Sequence, residues 1–326
     1  MLKTRITEKF GVSRPLMSAP MSLHSGGTLA GATTRAGGLG LFGGTNPAGE
    51  DWLRAQIEIA RSMSGDRPFG VGFITHFIPV LPTLFDVAID ERVPVISFSF
   101  ADPSPWLTRA KAAGATVICQ VQSVKDAEIA VAAGTDILVV QGNEAGGHTG
   151  RANLMPLITR VVNDYPHIPV MAAGGIASGR ALAAVLAAGA DGAWIGTALI
   201  ASHECVEVPD DYKKMIVAAK SEDTVFTQVF DILDEAVFGI PPWPDRIAGR
   251  AILNDFLKEW HGSEGKLKAN LDEVSAAYQQ AVTDADLNRT AVWAGESVDF
   301  VNAVRPVSQI LQEMCDDAEP LIDRRV

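Results

Sequence analysis

The stretch TDILVVQGNEAGGHTG, residues 135–150, joins a short continuous apolar run to a loop rich in glycine. The run from Thr135 to Gln141 has the length and β-branched content of a strand that is buried on both faces. Three glycines within the next few residues let the backbone turn sharply and bring its N–H groups close to a ligand. The stretch therefore predicts a core strand that ends at a binding loop.

Working outward from this stretch, the same unit of a short strand followed by a helix recurs along the first 200 residues. The predicted strands are Pro15–Met21, Gly38–Phe42, Phe69–Ile74, Val93–Phe98, Thr116–Val121, Asp136–Gln141, Ile168–Ala172 and Gly192–Ile195. The predicted helices are Thr28–Arg35, Glu50–Ser64, Val80–Asp90, Pro105–Ala113, Val124–Ala133, Leu154–Asp164 and Gly179–Ala188. Repeated units of this kind indicate an α/β fold with a parallel sheet. Their spacing favours a (β/α)8 TIM barrel over a doubly wound sheet, because no GxGxxG opens the first helix.

The sequence changes character after residue 205. The next segment is richer in charge and tryptophan, is interrupted by PPWP at 241–244, and does not continue the alternation. Helical apolar spacing returns at Asp272–Ala281 and at Val298–Leu321. We expect a TIM-barrel core over residues 1–205, a mostly helical substrate-side domain over 206–297, and a C-terminal helix over 298–326 that returns to the barrel.

Composition excludes several classes of protein. A net charge of −12 and a pI near 4.9 argue against a nucleic-acid-binding surface. The three cysteines show no CxxC pairing, and the N-terminus has no signal-peptide pattern, so we expect free thiols in a cytoplasmic protein. The longest apolar stretch, Ala181–Ala201, contains Asp191 and three glycines, which argues against a membrane span.

His148 is the candidate catalytic residue. Glu144 and His148 are four residues apart, but the glycines make a helix improbable there and no second ligand cluster supports a metal site. A histidine at the end of a buried strand suits acid/base chemistry or hydrogen bonding to a ligand. The alternative is a loop histidine that caps the next helix, and the local sequence leaves both open.

Two glycine-rich turns are candidate anion sites. AAGGIASG at 172–179 and Gly196-Thr197 follow the seventh and eighth predicted strands, where TIM barrels often hold a phosphate. Backbone N–H groups can bind an anion there without lysine, although the glycines could instead serve only to make tight turns. Small residues at 18–22 leave room for a flat group, and Gln120 and Gln141 could hydrogen-bond a heterocycle or be ordinary polar residues.

Together these motifs resemble a known family. Ala19-Pro20-Met21, QGNEAGGH at 141–148, AAGGI at 172–176 and Gly196-Thr197 are similar to signatures of nitronate monooxygenases, formerly called 2-nitropropane dioxygenases. The resemblance implies FMN, with its phosphate on Gly174, Gly175, Gly196 and Thr197 and its ring near Ala19, Pro20 and Met21. It also implies cofactor contacts from Gln120, Gln141, Gly142, Gly147 and Ile176, and it matches His148 to the catalytic histidine. Gly72 and Ala198 depart from the family, which often has asparagine and arginine at these positions.

The implied reaction is oxidative denitrification of an alkyl nitronate or nitroalkane, such as propionate 3-nitronate, to a carbonyl compound and nitrite with O2. His148 would either abstract the α-proton or hydrogen-bond the nitro oxygens. Because flavin-dependent enoyl-acyl-carrier-protein reductases and quinone reductases share the pattern, an NAD(P)H-dependent FMN reductase is the alternative. A non-catalytic phosphate-binding barrel is a third hypothesis, against which the placement of His148 argues. His24 and His76 fall near strand ends and could line the pocket; a homodimer is a possible assembly.

Overall fold

The computed structural model describes residues 2–322. The strands are β1 (Leu16–Ser18), β2 (Gly40–Gly43), β3 (Phe69–Ile74), β4 (Val95–Ser99), β5 (Thr116–Val121), β6 (Ile137–Gln141), β7 (Gly147–Thr149), β8 (Val170–Ala173), β9 (Gly192–Ile195), β10 (Thr224–Thr227) and β11 (Ala248–Ile252). The helices are α1 (Arg5–Phe10), α2 (Gly27–Arg35), α3 (Glu50–Ser64), α4 (Pro82–Asp90), α5 (Ser104–Ala112), α6 (Val124–Ala132), α7 (Leu154–Asp164), α8 (Gly179–Ala187), α9 (Thr197–Ile200), α10 (Asp210–Ala218), α11 (Val229–Phe238), α12 (Asp255–Trp260), α13 (Glu264–Ala269), α14 (Leu271–Thr283) and α15 (Val307–Ile322).

Eight parallel strands form the barrel. They lie in the order β1-β9-β8-β6-β5-β4-β3-β2, and a parallel bridge between Met17 and Leu39 joins the first strand to the last. This arrangement confirms the predicted TIM barrel. The predicted limits of β3, β5 and β9 match those of the structure, whereas the other barrel strands begin or end up to a few residues away.

Alternate strand residues pack on the two sides of the barrel wall. Leu41, Val139 and Trp194 belong to an interior cluster that also contains Ile6 and Phe10 of α1. The intervening residues pack outward against the helices. Helix α1 therefore closes the end of the barrel at which the strands begin, which leaves the opposite end available for a site.

Helix α15 packs between α8 and α2 and takes the place of the eighth barrel helix. The helix predicted from Val298 begins nine residues later, at Val307. Before it, Glu296–Phe300 forms a 3₁₀ turn and Arg305 pairs with Ser202 in a parallel bridge. Pro306 disfavours helical conformation in the residue before it, so the helix starts after the proline. Met1 and residues 323–326 of the predicted C-terminal segment lie outside the described residues.

Residues 206–297 are inserted between β9 and that last helix. They contain α10 to α14, a 3₁₀ turn at Ser221–Asp223, and the antiparallel pair β10–β11. Strand β11 also pairs with β7, whose middle residue is His148. The Glu144–Gly150 segment, predicted as a loop, thus contains a strand, because its partner lies about a hundred residues away and gives no local signal. Among the described helices, none combines the length and apolar character needed to cross a membrane.

Candidate active site

A cavity of about 300 Å³ lies at the ends of the barrel strands, between the barrel and the 206–297 insertion. Its wall contains twelve of the thirteen predicted site residues: Ala19, Pro20, Met21, Gln120, Gln141, Gly147, His148, Gly174, Gly175, Ile176, Gly196 and Thr197. Gly142 is not among the lining residues described. It lies behind the wall, where its N–H donates to the Ala173 carbonyl and its own carbonyl accepts from Thr149 Oγ1, each over 2.9 Å.

One side of the cavity is made of backbone. Gly174 and Gly175 have φ of 99° and 72°, in the region that favours glycine, and a Cβ on Gly174 would lie 3.0 Å from the Gly142 carbonyl oxygen. Within residues 2–322, the N–H groups of Gly174, Gly175, Gly196 and Thr197 donate to no other protein group. Four unpaired donors around one concave surface suit an anion. These residues therefore fit the phosphate of a flavin.

The neighbouring part of the cavity wall leaves space for a ligand because its residues are small. Pro20 packs so closely on Gly72 that a Cβ there would lie 2.4 Å from Pro20 Cγ. An asparagine, which the family often has at this position, would collide with Pro20 as it stands. Gly72 is therefore matched to the local packing, and the flat space beside Ala19 and Met21 stays open. Ala198, the second departure, is buried on α9.

Gln141 fixes the backbone of the histidine strand. Its Nε2 donates to the His148 carbonyl over 3.1 Å, and its Oε1 accepts from Gln122 Nε2 over 3.0 Å. Gln122 Nε2 also lies 3.4 Å from Gln120 Oε1. Gln120 and Gln141, the amides predicted as ligand contacts, are thus linked through Gln122 at the ends of β5 and β6, and this chain of amides holds β7 in place.

The His148 side chain is held by two groups from the insertion. Its Nε2 lies 2.7 Å from Oδ1 of Asp231 on α11, and the two side chains are 15% and 12% exposed. Its ring stacks on Trp243 with 3.6 Å between centroids and an angle of 10°. An ionised carboxylate can only accept, so Nε2 carries a proton and donates to Asp231. In the described part of the chain Nδ1 has no hydrogen-bond partner, which leaves it free to act as a base or a donor.

Trp243 belongs to a strap, residues 239–246, of which Ile240 and Trp243 line the cavity. Arg246 fastens the strap to the barrel by donating from Nη1 and Nη2 to the two Asp126 oxygens, both over 2.7 Å. Beneath it the indole also contacts Phe100 and His76, with centroids 5.1 and 4.6 Å away. The strap therefore shields the face of the His148 ring from solvent.

Three further titratable groups lie in or beside the cavity. Asp234 lies one turn beyond Asp231, lines the cavity, and accepts from the Tyr278 hydroxyl over 2.9 Å. Burial, and then the Asp231 charge, raise the pKa of Asp234 to about 6. Burial lowers the pKa of His76 to about 4, and neither of its ring nitrogens has a partner among residues 2–322. Burial also lowers the pKa of His24.

Of the two further histidines considered from the sequence, His24 lines the cavity. His76 lies behind Trp243 and is not among the described lining residues. Sequence analysis missed Asp231, Asp234, Trp243 and Trp293, all from the insertion. The PPWP segment marked an unusual stretch, but nothing in it pointed to His148. No group of three or more His, Cys, Asp or Glu side chains suited to a metal occurs within the residues described.

A barrel mouth that combines a backbone anion site with a shielded His–Asp pair defines a cofactor-dependent enzyme. A family model described as nitronate monooxygenase matches residues 81–317, and the chain belongs to that family. Membership confirms the resemblance found in the sequence and the class, a flavin-dependent oxidoreductase. A flavin is accordingly its cofactor.

The chain is similar to proteins that have different names. The chain is 29% identical to a nitronate monooxygenase of Neurospora crassa, over 95% of this chain and 90% of the relative. It is 36% identical to a (3aS,4S,5R,7aS)-5-hydroxy-7a-methyl-1-oxo-octahydro-1H-indene-4-carboxyl-CoA dehydrogenase of Rhodococcus jostii, over 71% of this chain but 64% of that relative's length. The structure of FabK from Thermotoga maritima superposes with a TM-score of 0.85 and 31% identity, covering 99% and 98% of the two chains.

Proposed function

We propose that this protein oxidises alkyl nitronates, formed in its site from nitroalkanes or taken from solution, to a carbonyl compound and nitrite with O2, using FMN. The observation that carries the proposal is the His148–Asp231 pair, with Nε2 held at 2.7 Å and Nδ1 free beside the cavity. This is the arrangement of an oriented general base. Membership in the nitronate monooxygenase family supports a carbon acid of this type as the substrate.

FMN would lie along the backbone side of the cavity. Its phosphate would accept from the N–H groups of Gly174, Gly175, Gly196 and Thr197, and its ring would occupy the space beside Ala19–Met21. Bound there, the flavin supplies an electron acceptor, which the side chains of the cavity lack. His148, whose ring is covered by Trp243 of the insertion, lines the same cavity.

Proton transfer is the part of the reaction that this chain's own residues perform. Nδ1 of neutral His148 takes the α-proton of the nitroalkane, and the electron pair of the broken C–H bond moves onto the nitro oxygens. The imidazolium that results lies between the Asp231 carboxylate and the Trp243 face, both of which stabilise a positive charge. It also remains beside the new nitronate as its counter-charge. Of the two roles considered for His148, the free Nδ1 favours proton abstraction first and hydrogen bonding second.

The second candidate is an NAD(P)H-dependent FMN reductase of quinones or enoyl thioesters. The specific support for it is the 36% identity to a protein named as a carboxyl-CoA dehydrogenase, whose substrate is a thioester. In that reaction a protonated His148 would act as an acid and donate a proton to the substrate, whereas in nitroalkane oxidation it acts as a base.

An anaerobic visible spectrum of the flavin-loaded protein separates the two. We expect an alkyl nitronate to change the flavin absorbance, NADH and NADPH to leave it unchanged, and nitrite to appear once air is admitted. Rapid bleaching by either dinucleotide, with no response to the nitronate, would establish the reductase instead.

A further inference from the structure

The charge of the cavity wall is one-sided. Its described lining residues include no lysine and no arginine, whereas Glu144 and Asp234 are both acidic. The imidazoles of His24 and His148 are the basic groups among them. Because burial keeps His24 neutral, the site supplies one positive charge, on His148 after it has taken a proton.

The two carboxylates differ in how far their charge is compensated. Both oxygens of Glu144 accept from the Leu154 N–H over 3.1 Å, at the start of α7, where the helix dipole favours an anion. Asp234 accepts from the neutral Tyr278 hydroxyl and has no ion-pair partner within residues 2–322. Its neighbour one turn away is another carboxylate, Asp231, which already faces His148. An ionised Asp234 therefore presents to the cavity a negative charge that no salt bridge of the described residues neutralises and that protonated His148 offsets only in part.

Much of the remaining wall is apolar, although Ser22, Ser99 and Ser297 also line it. Its apolar side chains near Trp243 and His148 are Phe77, Phe100, Ile240 and Trp293. An alkyl chain that extends from a nitro group at His148 would lie against these side chains and gain from the removal of apolar surface from water. A carboxylate on the same chain would lose its hydration and meet Asp234.

We propose that the cavity selects nitronates whose alkyl chain is uncharged, that it excludes those with a second negative charge, and that Asp234 is the specificity-determining residue. This inference rests on the proposed function, because it concerns the substrate of the same site. It assigns the enzyme to simple nitroalkanes and sets propionate 3-nitronate apart as a poor substrate. Two like charges a few ångströms apart in a partly shielded site reduce binding by about ten- to hundredfold.

The test compares the nitronates of 3-nitropropanamide and 3-nitropropanoate, which have similar shapes but differ by one charge. For the flavin-loaded wild type we expect kcat/KM for nitrite release to be about ten- to hundredfold higher with the amide. Asp234→Asn, which keeps an oxygen for the Tyr278 hydroxyl, should bring the ratio about tenfold closer to one. Glu235→Gln, an exposed acid on the same helix, serves as the matched control and should leave the ratio unchanged.

Ile240→Lys gives a second measurement if Asp234→Asn does not fold, since Ile240 lines the cavity and is 37% exposed. The added cation should raise kcat/KM for the carboxylate and not for the amide. Equal use of the two nitronates by the wild type would overturn the inference and leave the proposed function intact. If the flavin-loaded protein releases nitrite from neither, the proposed function itself is wrong.

Discussion

The two walls of the cavity present different chemical groups to a ligand. The barrel wall, Gly174, Gly175, Gly196 and Thr197, offers backbone N–H groups at the ends of β8 and β9. The insertion wall is made of side chains: Asp234, Trp243 and Trp293 line the cavity, and on this side Asp231 holds His148 while Trp243 covers its ring. Cofactor binding here therefore depends on local backbone geometry, whereas orientation of the base depends on contacts between distant segments. Substitutions in the two walls should therefore have different consequences.

The largest effect is expected on the barrel wall. Gly174→Ala forces an L-residue into φ 99°, at a cost of about 1–3 kcal/mol, and pushes its Cβ against the Gly142 carbonyl. We expect the cradle to distort, most of the flavin to be lost on gel filtration, and activity without added FMN to be nearly abolished.

Gly134→Ala is the matched control, because Gly134 has a similar φ of 91° but its Cβ would meet nothing within 4 Å. It should lower stability and keep the flavin. Full flavin content in Gly174→Ala would show that the backbone wall does not hold the cofactor.

A smaller effect is expected from Asp231 on the insertion wall. Asp231→Asn removes the charge that orients Nε2–H and stabilises the imidazolium, a hydrogen bond to a charged group worth about 1.5–3 kcal/mol. Turnover of a neutral nitroalkane should fall by about ten- to hundredfold while the flavin stays bound. Glu235→Gln controls for the loss of one acid from α11. Unaltered turnover in Asp231→Asn would show that Asp231 does not orient or stabilise the base.

These two walls also explain what could be predicted from the sequence. The barrel, three of its strands to the residue, and the glycine turns follow from local periodicity and from the residue types that turns require. The pairing of β7 with β11 and the contact between His148 and Asp231 join residues about a hundred positions apart. Such contacts depend on the path of the insertion, which no local pattern specifies. For the same reason PPWP was recognised as a break in the chain and not as the strap that carries Trp243.

The stacking of Trp243 on the His148 ring is the second contribution of the insertion wall. An aromatic contact of this kind is worth about 0.5–1.5 kcal/mol, so Trp243→Leu should lower kcat/KM for a nitroalkane by about two- to tenfold. Trp106→Leu, which removes an indole packed on Phe85 outside the site, should leave kcat/KM near the wild-type value. A loss above a hundredfold would mean that the strap does more than cover the ring.

The last effect concerns the pH dependence of stability and not turnover. Asp234 keeps its proton up to about pH 6 in the folded state, whereas its ordinary pKa is 3.8. The folded state thus binds more protons between these values, and wild-type stability falls as pH rises from about 4 to about 6, by roughly 2–3 kcal/mol for this group. Asp234→Asn should lack that dependence. In urea unfolding, the free energy of unfolding of the variant minus that of the wild type should therefore be larger at pH 7.5 than at pH 4. A constant difference at the two pH values would show that Asp234 does not titrate in this way.

The central claim is that a base on the barrel, held by the insertion, deprotonates the substrate. Its most direct test measures nitrite release by flavin-loaded His148→Gln from neutral 2-nitropropane and from its preformed nitronate, with the exposed His167→Gln as control. We predict a loss of about 10²- to 10⁴-fold with the nitroalkane and a loss below about tenfold with the nitronate, which needs no base. Equal losses with the two substrates, or none with either, would contradict the assignment of His148 as the general base.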